Sequence, residues 1–265
     1  MAELAVATAI IALLLFGALV PFSAQVEIRN VAETRRTMDS IKEAIIGFAQ
    51  ANGRLPCPAS GTILSGAADA LGRPAGSEQL TSFPPTPGAG CTNVFGVVPW
   101  ATLGVPETDS WGRRFSYWVT PIYADGLGPP TTFGCAPSPP PTQSSFALCS
   151  VGTLTVNTRS ADINHTLNPL VQSLPLVFIS HGKNGFGAFT PGGTLISTAA
   201  AGADETANAT HTPAATTFFS RTPTGSATGC NDNTPGSPLC EFDDVVTWIT
   251  SSTLSARMVA AGRLP

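Results

Sequence analysis

Side chains able to hold a metal ion occur in two places late in the chain. Asp204, Glu205 and Asn208 lie within one short stretch, and Asp243 and Asp244 are adjacent. Carboxylate and amide oxygens are the ligands that Ca²⁺ prefers, so these residues predict a calcium site if the fold brings the two stretches together. No EF-hand pattern is present. The alternative is that the first two acidic residues cap a loop and the last two begin the final strand or helix.

Nucleophilic chemistry has one weak candidate, the adjacent pair Ser180 and His181. Neighbouring residues rarely point at each other, and no Gly-x-Ser-x-Gly elbow is present. The sequence after Ser180 is typical of a tight turn in which Asn184 and Gly185 take positive φ. Glycine-rich nucleotide motifs lack their strand and helix context. The sequence therefore predicts a protein that is not an enzyme.

Six cysteines are present, and none has the Cys-x-x-Cys spacing of a zinc ribbon or a thioredoxin-type redox site. An even number of cysteines downstream of a hydrophobic N-terminal segment indicates an oxidising compartment and disulfides. Six cysteines allow 15 connectivities. We expect consecutive cysteines to pair, as Cys57–Cys91, Cys135–Cys149 and Cys230–Cys240. The last two of these bridges would close the loops that have the least structure of their own to stabilise them.

The overall composition excludes several classes of protein. Of the 265 residues, 43% are hydrophobic and only 11% are charged, which disfavours full disorder. Glycine and proline are abundant, at 26 and 24 residues, but show no collagen period. With only two lysines, Lys42 and Lys183, the chain has no basic surface for nucleic acid.

The N-terminal region has a charge pattern of its own. Residues 4–21 read LAVATAIIALLLFGALVP and contain no charge. A run of this length is enough to span or nearly span a bilayer as a helix. A cleaved signal peptide needs a basic start, whereas the only early charge is Glu3. We therefore expect residues 1–24 to form a retained transmembrane or filament-core segment.

Residues 25–53 are charged and amphipathic. Apolar residues recur at helical spacing, and the oppositely charged pairs Arg29/Glu33 and Arg35/Asp39 are four residues apart. Asn52 followed by Gly53 is a natural helix end. We expect one helix over residues 4–51, which Pro21 can bend.

Residues 54–265 differ from this helix in composition. Short β-like runs separated by Gly, Pro and Asn turns predict an antiparallel sheet with long loops. At strand spacing, Phe115 and Tyr117 share one face while Ser116 and Trp118 share the other. We expect these aromatic residues to pack the sheet against the helix, and the alternative is a ligand-binding aromatic face. The expected fold class is α+β, with a long N-terminal helix (anchor half plus amphipathic half) packed on an antiparallel sheet head with disulfide-clipped loops.

The order of these N-terminal features resembles type IV pilins and the pseudopilins of type II secretion. Glu3, the uncharged run, Pro21 and the amphipathic continuation carry the resemblance, although the glycine and phenylalanine of that family's processing site do not precede Glu3. In the head, PWATLGV (residues 99–105), DSWGRRFSYWVTP (109–121) and FDDVVTWI (242–249) resemble bacterial pilin-like secretion proteins.

The resemblance implies a structural filament subunit of a secretion pseudopilus or type IV pilus. Its partners would be further copies or other pilin-like subunits, and the secretion or pilus assembly machinery. Glu3 would pair with the N-terminal amine of a neighbouring copy and set the axial register. Some major pseudopilins bind calcium late in the head, which favours Ca²⁺ as cofactor. The location would be the bacterial inner membrane with a periplasmic head, or an extracellular filament. The alternative is a membrane-tethered binding module that does not polymerise.

Overall fold

The first helix supplies one wall of the core. The structure, a computed structural model, describes residues 25–82, 89–124 and 144–264, together with the backbone of residues 2–24 within helix α1 (Ala2–Asn52). Met38, Ile41, Ile45 and Ala49 recur every three or four residues and are at most 1% exposed, so one face of α1 packs against the head. The helix ends where Gly53 adopts φ 70° and donates its backbone N–H to the Ala49 carbonyl at 2.8 Å.

The larger sheet is entirely antiparallel. Its strands pair in the order β1-β2-β5-β7. Their bounds are β1 (Phe95–Val97), β2 (Ser116–Val119), β5 (Leu176–Ser180) and β7 (Val245–Ile249). Short helices α2 (Trp100–Leu103) and α3 (Pro121–Ala124) flank β2, and α5 (Ser251–Ala260) follows β7.

The smaller sheet has the order β4-β3-β6. It is formed by β3 (Leu154–Arg159), β4 (Leu167–Leu174) and β6 (Thr217–Phe219), and the short helix α4 (Ala203–Asn208) precedes β6. β3 pairs antiparallel with β4 but parallel with β6. The parallel pair requires a long crossover connection, and α4 lies within it.

The two faces of β2 divide the core. Phe115 and Tyr117 are buried against α1 and α5, whereas Trp118 is buried between the two sheets with Leu154 and Phe218. The prediction of opposite faces for these aromatic residues is confirmed. It follows from the two-residue period of a strand.

The expected fold class is wrong in its sheet arrangement. The chain is a mixture of α and β, but its strands form two sheets, one of them with a parallel pair, instead of a single antiparallel sheet. Among the residues that the structure describes, no helix has both the length and the apolar character needed to cross a membrane. The predicted anchor half at residues 1–24, with Glu3 and Pro21, lies outside the residues whose side chains are described.

Two of the three predicted disulfides are confirmed. Cys57 bonds to Cys91 and Cys230 bonds to Cys240. The third predicted bridge involves Cys135, which lies outside the described residues.

Candidate cation centre

The register between two strands brings the first parts of the site together. β5 and β7 pair so that Ser180 lies opposite Val245. The turn after β5 is therefore beside the residues before β7, which are Asp243 and Asp244. Gly182 in this turn has φ 54°, and a Cβ there would lie 2.4 Å from the Asp243 carbonyl oxygen. Only glycine allows the two segments to approach this closely.

Helix α4 supplies the third carboxylate, Glu205, which is 0% exposed. One carboxylate oxygen from each of Glu205, Asp243 and Asp244 lies within 4.8 Å of those from the other two. Glu205 and Asp244 are buried, and Asp243 is half-buried. Three carboxylates thus converge from α4 and from the segment before β7.

Each of these carboxylates uses one oxygen to bind the protein. Glu205 Oε1 accepts from the Asn184 side chain at 2.8 Å and from the Asp243 backbone at 3.1 Å. Asp243 Oδ2 accepts from the Asn184 backbone N–H at 2.9 Å. Asp244 Oδ2 accepts from Asn208 Nδ2 at 2.7 Å. The second oxygens, Glu205 Oε2, Asp243 Oδ1 and Asp244 Oδ1, are buried and have no hydrogen-bond partner.

Burial and like charge disfavour ionisation of this cluster. Burial, followed by the negative charge of Asp244, raises the pKa of Glu205 to about 8. Burial is also the main reason that the pKa of Asp243 rises to about 6, and Asp244 adds to the shift. Without a cation, Glu205 therefore holds a proton at neutral pH. A divalent ion bound among the free oxygens would replace that proton with a full compensating charge.

The centre opens to solvent through a groove of about 580 Å³ between α1 and the head. Asp243, Asp244 and Lys183 line one side of this groove, and Arg35 and Asp39 of α1 line the other. Asp243 and Asp244 therefore border the groove, whereas the buried Glu205 is not among its lining residues. Ca²⁺ takes six to eight oxygen ligands, so waters from the groove would have to complete the shell around three carboxylates.

Asp204, although adjacent to Glu205, has a different environment. Its carboxylate accepts from Arg159 at 2.8 Å and from Arg221 at 2.9 Å. Arg221 also contacts Asp232 at 3.3 Å, and Asp232 accepts the backbone N–H of Asp204 at 3.3 Å. Since the N-cap Gly202 has no side chain to cap α4, Asp232 satisfies one of the free N–H groups at the start of this helix. This network fixes α4 and hence the position of Glu205.

A buried polar chain lies behind the centre. His181 Nε2 is 2.8 Å from Ser116 Oγ, and the same hydroxyl is 3.2 Å from His211 Nε2. On the other side of the ring, His181 Nδ1 is 3.5 Å from Asp244 Oδ1. The order of groups is that of a nucleophile, a base and an acid, but Ser116 is 0% exposed, which leaves a substrate carbonyl no access to its hydroxyl.

The structure brings together part of the residue set that the sequence predicted. Glu205, Asp243 and Asp244 converge, whereas both oxygens of Asp204 bind guanidinium groups. Asn208 uses its oxygen to accept the Phe219 N–H at 2.7 Å, so it positions Asp244 instead of offering a ligand.

Sequence reasoning missed Asn184 and Ser116, and it paired His181 with the wrong hydroxyl. His181 does not bind the hydroxyl of the adjacent Ser180, because that hydroxyl donates to Asp109 at 2.6 Å. Its partner Ser116 is 65 residues away in sequence and is brought near by the pairing of β2 with β5. One sequence feature could have indicated a role for Asn184 in the site, namely its position in the turn directly after a buried strand.

Comparison with protein-family models, curated proteins and solved structures finds no match to this chain. Function therefore has to be inferred from the residues themselves. The donor set consists of three carboxylate oxygens, which are hard ligands and fit Ca²⁺ better than a soft or redox-active metal.

Proposed function

We propose that this chain is a structural filament subunit, of a type II secretion pseudopilus or a type IV pilus, whose head is stabilised by a divalent cation. The observation that carries the filament proposal is the division of α1. Its sequence is free of charge over residues 4–21, while Met38, Ile41 and Ile45 further along are buried in the head. An uncharged helical half gives copies of the chain an apolar surface to bury against each other.

The two disulfides of the described residues support an oxidising location. We propose the bacterial inner membrane before assembly, with the head in the periplasm, and a filament afterwards. Partners would be other copies of the chain or other pilin-like subunits, together with the secretion or pilus assembly machinery.

The unpartnered oxygens of Glu205, Asp243 and Asp244 support calcium as the cofactor. Such an ion would link α4 to the segment before β7. Removing it would leave Asp243 and Asp244 without a compensating cation and would favour a proton on Glu205. Its role in this proposal is structural, because it ties two segments that the chain brings together only through long-range pairing.

Electron microscopy of the purified full chain tests the filament proposal. We expect filaments from the wild type and none from Glu3→Ala, because a charge in an apolar filament core needs a partner that fixes its position. Glu33→Ala removes an exposed glutamate from the same helix and is the matched control, which should still polymerise.

Cysteine cross-linking between copies along residues 4–20 gives a second readout. Cross-links at helical spacing in the wild type would support assembly through this segment. Single, unassembled copies at all concentrations would instead favour a tethered binding module. Filaments of Glu3→Ala equal to those of the wild type would contradict the role of Glu3.

A further inference from the structure

We propose that His181 is a positioning residue for the cation centre, which it serves by orienting Asp244, and that Ser116 and His211 fix the orientation of His181. This inference rests on the cation centre proposed above. It assigns a role to the buried His181 and Ser116 and to the half-buried His211, none of which the centre itself uses as a ligand.

The arrangement of these side chains allows the imidazole to act on one carboxylate oxygen. Asp244 Oδ2 already accepts a hydrogen bond from Asn208 at 2.7 Å, so Oδ1 is the oxygen that lacks a partner. His181 Nδ1 lies 3.5 Å from that oxygen, and neither atom has a hydrogen-bond partner. Both residues are buried, with His181 0% exposed and Asp244 6%. A small closing movement would turn this contact into an N–H···O hydrogen bond.

His181 Nδ1 acts on a ligand and is not itself one. The set of atoms lying within 4.8 Å of one another comprises the three carboxylates, and the imidazole does not belong to it. Carboxylate ligands of metals are commonly held by outer hydrogen bonds of this kind. His181 therefore contacts the centre through Asp244.

Hydrogen-bond complementarity along the polar chain sets the direction of each donor. In the tautomer with its proton on Nδ1, His181 points Nδ1–H at Asp244, and its Nε2 accepts from the Ser116 hydroxyl at 2.8 Å. The Ser116 oxygen in turn accepts from His211 Nε2–H at 3.2 Å. His211 stacks on Trp118 with ring centroids 5.2 Å apart, which anchors this end of the chain in the core. Every donor then points towards the cation centre.

The polar chain also connects the centre to a second cleft of about 220 Å³, which His211 lines together with Phe95 and Phe189. Substitutions there should reach the centre only through Ser116 and His181. The expected effects on cation affinity therefore decrease in the order His181, Ser116, His211.

Two amide variants of His181 separate positioning from general packing. His181→Asn places an amide nitrogen near the position of Nδ1 and keeps a donor towards Asp244. His181→Gln places its amide near Nε2 and keeps only the contact with Ser116. Calcium affinity of the chelator-treated full chain would be measured by calorimetry for both variants, with the melting temperature as a check of folding. We expect the dissociation constant of His181→Gln to rise about 10- to 100-fold and that of His181→Asn to rise far less.

Ser116→Ala tests the next link and should weaken calcium binding less than His181→Gln. His165→Asn is the matched control, because His165 is a buried histidine that contacts the Asp232 carbonyl at 3.1 Å and not the carboxylates of the centre. Equal affinity of His181→Gln and the wild type, or a reversed order of the two amide variants, would overturn the positioning role and leave the cation centre intact. Absence of calcium binding in the wild type would instead overturn the centre and, with it, this inference.

Discussion

Asp204 and Glu205 are adjacent on α4, yet their carboxylates are stabilised in different ways. Asp204 is surrounded by the guanidinium groups of Arg159 and Arg221, so its buried charge is compensated within the chain. Glu205 has Asp243 and Asp244 as neighbours, so its charge is opposed. Successive residues on a helix point about 100° apart, which is how one turn contributes to two clusters of opposite character.

The difference indicates what each cluster needs in order to fold. The Asp204 network is complete, since both carboxylate oxygens and both arginines have partners. The Glu205 cluster is incomplete, because three buried oxygens have none. A buried anion without a partner is costly, so the second cluster needs a proton or a cation from solution.

The largest effect is expected from Asp204→Ala. This change leaves Arg159 and Arg221 buried without their shared acceptor, and it should lower the free energy of unfolding by about 3–5 kcal/mol. Urea denaturation of the full chain measures it. Asp39→Ala, which removes an exposed carboxylate from α1, is the control. If Asp204→Ala lowered the free energy of unfolding by less than about 1 kcal/mol, Asp204 would not be compensating the buried charges of Arg159 and Arg221.

Calcium should stabilise the head by an amount set by mass action. At a free concentration 100 times the dissociation constant, the gain is about 2.7 kcal/mol, which corresponds to a rise in melting temperature of roughly 5–11 °C. The gain should disappear in Asp243→Asn/Asp244→Asn and persist in His165→Asn. Equal stabilisation of the wild type and the double variant would place the ion elsewhere.

Glu205→Gln should stabilise the calcium-free protein at pH 8 by roughly 1–2 kcal/mol, because it removes a buried carboxyl that is opposed by like charge. The pKa of Glu205 is raised in the folded state. Its contribution to stability is therefore fully present at pH 4 and is lost as the pH rises towards about 8. The difference between variant and wild type should accordingly vanish at pH 4, as followed by denaturation at several pH values. A difference independent of pH would contradict this assignment.

The smallest effect concerns an exposed ion pair. Arg257 and Glu43 lie 3.4 Å apart between α5 and α1, with side chains 51% and 62% exposed. Glu43→Ala should change the free energy of unfolding by at most about 0.5 kcal/mol, since water screens both charges. If Glu43→Ala lowered the free energy of unfolding nearly as much as Asp204→Ala, burial would not explain why the Asp204 network contributes more than this exposed ion pair.

Much of the larger sheet could be predicted from the sequence, because its strands are short apolar runs between turn residues. β4 was missed, since Pro169 and the polar residues around it obscure the strand pattern. The parallel pairing of β3 with β6 also escaped prediction, because nothing local in either strand specifies a partner 62 residues away at Thr155 and Thr217.

The candidate site was predictable in residue type but not in arrangement. Acidic residues near positions 204 and 243 indicated oxygen ligands. The orientation of α4 on the sheets decides whether Asp204 or Glu205 faces Asp243. Contacts of Asp204 with Arg159 and Asp232 fix this orientation. The contact of His181 with Ser116 depends likewise on the register of β2 and β5.

The most direct test of the cation centre is the number of protons released when calcium binds. Calorimetric titration of the chelator-treated full chain at pH 7, in buffers of different ionisation enthalpy, measures this number. Because Glu205 holds a proton at this pH in the absence of a cation, we expect release of about one proton per calcium ion by the wild type and none by Glu205→Gln. No binding, or binding with no proton released by the wild type, would contradict the assignment of Glu205, Asp243 and Asp244 as a cation centre.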